Sequence, residues 1–226
     1  MHPILLAALT GFVSGFLVSI PAGPVNLSIM NEGARRGFKW AALIGAGATL
    51  MEVVYCIIAF ASLGSFIWNV YVKAAMELIS FLFLVFLGIK FLLTKSVDVR
   101  VPLGPAADKF ETEVQVRLHP HSAFMTGFVR VLGNVGVLAF WLVCAASFIS
   151  HDWVENNWPG KLTCVAGVVL GTALWYFALS LGAARGYGRF SEKTLLRMEH
   201  LSGVCLLMLA SIHGGRIIWQ IAKHYH

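Results

Sequence analysis

Two side chains could place charge inside an otherwise apolar chain: Glu52 and Arg130, each set in an apolar run long enough to cross a bilayer. A carboxylate at that depth costs about 2.5–3.5 kcal/mol on insertion scales, so Glu52 needs a partner or a task. It could carry a proton, hold a cationic group of a substrate, stay protonated and hydrogen-bonded, or pair with Arg130. Arg130 in turn either neutralises Glu52 or binds a substrate carboxylate. Two interruptions accompany these charges. Pro21-Ala22-Gly23-Pro24-Val25-Asn26 lies inside the run from Ile4 to Met30, and Gly133-Asn134-Val135-Gly136 lies inside a later one. The prolines remove backbone donors and clash with the preceding turn, while Gly23 and Gly133 permit non-helical angles. Lipid tolerates freed backbone groups only where protein or a water-filled cavity covers them. One such break reads most simply as a kink that shapes packing; two in corresponding spans suggest a site. Pro21, Gly23, Pro24, Asn26, Glu52, Arg130 and Asn134 are therefore the candidate substrate-binding residues, with Glu52 also the candidate for proton coupling. Asn26 suits a helix cap at the break, a ligand to a polar substrate, or both.

Composition sets the medium in which these residues work. Of 226 residues 58% are apolar and 12% charged, about half the usual charged share. A soluble chain of this size could not hide so much apolar surface, and the apolar residues come in unbroken runs. A multi-pass integral membrane protein results, with the lipid bilayer as its first partner. The net charge of +6 gathers in short loops, where it sets orientation, so nucleic acid is not an expected partner. Cys56, Cys144, Cys164 and Cys205 fall singly in four runs and read as small buried hydrophobes. Met1-His2-Pro3 places no Lys or Arg before the first run, so the first span is expected to remain in the mature protein.

The runs place six spans at about 4–31, 40–62, 70–93, 122–149, 160–184 and 198–221, as one membrane domain over 1–226. Residues 1–93 hold three spans, 94–121 form a polar linker, and 122–226 hold three more. Within the linker, Glu113 to Leu118 alternates as a short strand or a surface-bound segment would. Laying the halves together puts Gly15-Phe16 on Gly127-Phe128, the first break on the second, Ala46-Gly47 on Ala166-Gly167 and Tyr55 on Trp175. Three spans per half make such repeats inverted, a plan in which discontinuous helices meet near the midplane. Arg35, Arg36 and Lys39, the linker's basic residues, and Arg185, Arg189 and Lys193 occupy alternate loops. Those loops are expected on the cytoplasmic side, with both termini outside. Counting helix rise inward from them, both breaks fall roughly 15–18 Å deep. Lys73 and Glu77 read as a local pair, Lys90 as a snorkelling cation, Glu199 and His200 as headgroup-solvated, and His213 as a packing residue. Glycine-rich faces fit internal packing and a homodimer equally.

The segment Pro21-Ala22-Gly23-Pro24-Val25-Asn26-Leu27, then Gly33-Ala34-Arg35-Arg36-Gly37, then Gly45 to Tyr55 with Glu52 three before the Tyr, resembles the LysE/RhtB family of amino-acid exporters. That family has a Pro-x-Gly-Pro-x-Asn signature, a basic Arg-Arg-Gly loop and a glycine-rich second span with an acidic residue. Phe86-Leu87-Gly88-Ile89-Lys90 and Leu201-Ser202-Gly203 look like its third-span ending and sixth-span opening. The chain departs from the pattern in having Glu52 where Asp is usual, and Asn134-Val135 where Asn-Pro is usual. The resemblance implies a secondary transporter of a bacterial inner membrane, exporting an amino acid or similar small zwitterion, with no cofactor. Proton antiport is the expected coupling. Divalent-metal export, as in distant relatives, is the alternative within transport, although Glu52 is the one carboxylate expected at midplane depth. A membrane enzyme is the alternative class. The chain has no H-E-x-x-H, G-x-S-x-G or cysteine pair, so an enzyme is not expected.

Overall fold

A computed structural model of the chain describes residues 2–21, 23–63, 70–94, 113, 122–187 and 192–224. The helices are α1 (Pro3–Ser19), α2 (Pro24–Arg36), α3 (Phe38–Leu63), α4 (Val70–Leu93), α5 (Ala123–Leu132), α6 (Val135–Ser150), α7 (Trp158–Gly182) and α8 (Glu192–His224). A π-helical turn, Ala183–Tyr187, extends α7. No strand occurs among the described residues. The alternating segment of the linker lies outside them except for Glu113, which is helical.

Local chemistry explains where the helices start and stop. Pro24 occupies the first turn of α2, where its missing N–H costs nothing, and Gly37 closes that helix in the left-handed region at φ 89°. The Ser122 side chain accepts from the Met125 N–H to begin α5, Asn134 accepts from Gly136 to begin α6, and Asn157 accepts from Gly160 to begin α7. α1 and α2 meet at 71°, and α5 and α6 at 65°. Both interruptions expected from sequence are thus present as sharp bends.

Among the described residues two helices, α3 and α7 with its extension, are long and apolar enough to cross a membrane, or up to four spans if each bent pair is one. The other two expected spans fall on α4 and α8, helices of 24 and 33 residues whose described parts do not meet that standard. Leu50, Ile58, Leu82, Phe86, Leu170 and Phe177 point outward, an apolar girdle that suits hydrocarbon.

Packing crosses between the two halves of the chain. α1 lies chiefly against α7, α5 against α3, and α4 against α8. Glycine makes the first two contacts possible. A Cβ on Gly11 would strike the Cys164 carbonyl, and one on Gly167 the Ala8 carbonyl; likewise Gly127 faces the Ile44 carbonyl and Gly47 that of Phe124. In lipid, where apolar burial between helices gains little, this backbone-to-backbone approach is what helix association rests on. The register differs from the sequence alignment in one respect. Gly11, not Gly15, takes toward Cys164 and Val168 the place that Gly127 takes toward Ile44 and Ala48, a shift of one helical turn. The pairing of Gly47 with Gly167 is as aligned.

Cys56, Cys144 and Cys164 are buried, Cys205 is half-buried, and all four are free thiols. Glu77 is buried on α4, and the side chains of Lys73 and His213 lie outside the described ones.

Candidate functional site

At the first break the chain leaves α1 after Ser19 and re-enters helix at Pro24, which releases the carbonyls that would have bonded one turn further on. Asn26 collects them. Its Nδ2 donates to the carbonyls of Ser19 at 2.8 Å, Ile20 at 3.2 Å and Pro21 at 2.6 Å. Its Oδ1 accepts from the Trp175 indole N–H at 3.3 Å. Sequence allowed Asn26 a capping role; the structure puts Gly23 at the cap of α2 and sets Asn26 on the loose end of α1 instead. At the second break Tyr55 does comparable work, its hydroxyl donating to the Leu132 carbonyl at 2.6 Å, while Asn134 caps α6.

Arg130, on α5, reaches across to α2 and donates from Nη1 to the Pro24 carbonyl at 3.2 Å, which also accepts from Ser28 at 2.7 Å. The two broken helices are thereby tied to each other. Glu52, 3% exposed, is held from the opposite side: Tyr176 on α7 donates to Oε1 at 2.7 Å. Oε2 is buried with no hydrogen-bond partner among the described residues. The sequence alternative of a Glu52–Arg130 pair is therefore not the contact that holds this carboxylate.

A cavity of about 130 Å³ joins these groups. Pro21, Gly23, Pro24, Asn26, Glu52, Arg130 and Asn134 all line it, so the structure brings every candidate residue to one space. It adds residues that the sequence left unassigned or placed elsewhere. Tyr176 and Ser19 border the carboxylate side, and Lys90 with Glu199 forms part of a wall shared by α4 and α8. Glu199, read from sequence as headgroup-solvated, is 4% exposed, and Lys90, read as snorkelling, turns its Nζ inward. Both sit near helix ends, where a polar residue looks interfacial unless the neighbouring helix is known. His200 beside them bonds the Thr94 carbonyl at 3.1 Å. Leu87, Phe91, Val137, Phe140 and Leu206 supply the apolar remainder. Two cations and two carboxylates thus face one largely apolar space. Among the described residues no three His, Cys, Asp or Glu side chains gather as a metal ion would need.

Apolar helices with outward apolar flanks, bent at two points around a largely apolar cavity that carries two cations and two carboxylates, suit a membrane translocator. The family model of LysE type translocators matches residues 16–212, and the chain belongs to that family. It is 26% identical over 213 residues to YcgF of Bacillus subtilis (strain 168), named for a proposed role in amino acid efflux, covering 94% of this chain and 97% of that one. No solved structure matches the chain.

Proposed function

We propose that the protein exports an amino acid or similar small zwitterion across the inner membrane of a bacterium, in exchange for protons. Six spans in two inverted three-helix repeats carry the process, with the breaks of the first and fourth spans near the midplane and both termini outside. The observation that carries this reading is the convergence of both breaks, Glu52 and Arg130 on one cavity. Its formal charges balance, which suits a ligand that itself bears one charge of each sign.

The parts have separate tasks. The N-termini of α2 and α6 point the positive ends of their dipoles toward the breaks, and with Arg130 they hold the substrate carboxylate. Glu52 and the break carbonyls hold the ammonium group. Oε2 is the carboxylate oxygen open to a proton or to that ammonium, since Tyr176 engages Oε1. Occupancy of Glu52 by one or the other makes exchange obligatory: substrate arriving from the cytoplasm displaces a proton, and a proton arriving from outside displaces substrate. The name of the Bacillus relative supports amino acids as the cargo class.

The test is flux in proteoliposomes loaded with single amino acids under an imposed pH gradient. The expected result is gradient-driven movement of at least one of them, lost in liposomes without protein. Movement of divalent cations but of no amino acid would overturn the reading.

A further inference from the structure

The two hydrogen bonds from aromatic side chains at the breaks stand in equivalent places. Tyr55 follows Gly47 by eight residues on α3, as Trp175 follows Gly167 by eight on α7. Each glycine marks the point where its straight helix meets the broken helix of the other half. From α3, Tyr55 reaches the Leu132 carbonyl at the end of α5; from α7, Trp175 reaches Asn26, which holds the three carbonyls at the end of α1. Neither aromatic residue lines the cavity, whereas Asn26 does, and so do Val131 and Asn134 on either side of the Leu132 that Tyr55 holds.

We propose that Tyr55 and Trp175 are paired positioning residues, each pinning one helix break to a straight helix so that the break keeps its place in the cavity wall. The argument rests on what each side chain offers. Asn26 is usable only one way round: with the amide turned over, Oδ1 would face three carbonyls and Nδ2 would face the indole N–H. The three carbonyls and the indole together fix which end of Asn26 meets the break, and the indole ties the other end to α7. Tyr55 is buried, so its hydroxyl must find a partner, and the Leu132 carbonyl, freed by the interruption, is the group it finds. The pins are separate, one per break, and the Arg130 bond to the Pro24 carbonyl is a further tie between the broken helices that neither pin supplies. This extends the reading of the cavity as the translocation site, because a wall that must rearrange during transport is held here by one or a few hydrogen bonds rather than by packed helix.

Cysteine labelling tests the pins without relying on transport. In a background lacking the four native cysteines, Val25→Cys and Val137→Cys place thiols on the cavity wall just after the first and second breaks. Trp175→Phe keeps an aromatic ring beside Phe16 and removes the N–H together with the pyrrole part of the indole, so comparison with Trp175→His separates the lost hydrogen bond from the lost volume. It should speed labelling at position 25 about threefold to tenfold, the factor for one hydrogen bond, and leave position 137 unchanged. Tyr55→Phe should do the reverse. Trp175→His retains a ring N–H and should return position 25 toward its parent rate. Equal acceleration at both positions, no acceleration, a Phe variant that no longer inserts, or a His variant that labels like Phe would each overturn the proposal. A protein that moves no amino acid would sink the export reading and leave the labelling result to stand by itself.

Discussion

The hydroxyl of Tyr176 lies 2.7 Å from Oε1 of Glu52, a bond between α7 and α3 that joins residues 124 apart in the chain. It gives the buried carboxylate one committed oxygen and leaves the other without a hydrogen-bond partner among the described residues. Tyr176 reaches this position because Gly45 lets its Cβ settle against α3, and because helical side chains lean toward their own N-terminus, here toward Glu52.

Glu52→Gln keeps the size of the side chain and its acceptor for Tyr176 but cannot release a proton. Export driven by a pH gradient should fall by at least about tenfold, while exchange of labelled for unlabelled substrate at equal pH persists. Full gradient-driven export by this variant would end the coupling role. Tyr176→Phe should lower stability by about 1–3 kcal/mol, read from thermal unfolding in detergent, because it strips a buried acceptor of its partner.

Restoring the helix at the first break is a second test. Pro21→Ala with Pro24→Ala returns two backbone donors to the chain and should abolish flux while the protein still inserts. Unchanged flux would reduce the motif to a bend that only shapes packing.

The glycine contacts predict a steep dependence on single atoms. Gly127→Ala and Gly47→Ala each drive a methyl into a backbone carbonyl, on Ile44 and Phe124 respectively, and should destabilise by about 1–3 kcal/mol or more. Gly182→Ala meets nothing within 4 Å and serves as the control, with a melting temperature at or above the parent. Equal effects at all three positions would contradict the close approach of α5 to α3.

Orientation can be read with an impermeant thiol reagent. In the cysteine-free background, Asn156→Cys should label in intact cells and Lys109→Cys only after lysis, since the basic residues flank alternate loops. The opposite pattern would invert the direction of transport drawn above.

Much of the site was legible because proline, glycine and buried charge are costly in a spanning helix and therefore stand out. Pro21, Gly23, Pro24, Glu52 and Arg130 announced themselves in this way, and so did the glycine pairs. Tyr176, Lys90 and Glu199 did not. In a helix apolar on every side no periodicity tells which face meets a cavity, and charges near helix ends resemble those that reach for lipid headgroups. The role of Asn26 was half legible: a polar residue at a break has backbone to satisfy, but whether it serves the helix before or after depends on the bend. The one-turn error between Gly15 and Gly11 has a similar origin. α1 runs further past its glycine contact before breaking than α5 does past its own, so aligning the breaks displaces the contacts.

The cross-packing of the halves bears on how the chain is made. Synthesis delivers α1 at the start, but the helix whose backbone fits its glycines, α7, begins only at Trp158. Between those events Gly11 and Gly15 present an open groove to lipid, and the freed carbonyls at Ser19 and Ile20 have Asn26 but not the indole that orients it. A nascent chain stopped after α6 therefore holds α1 without its mate, and completing the fold waits on translation of α7. Co-expressed halves divided in the linker would each lack the surface that the other's broken helix needs, so they should accumulate only together.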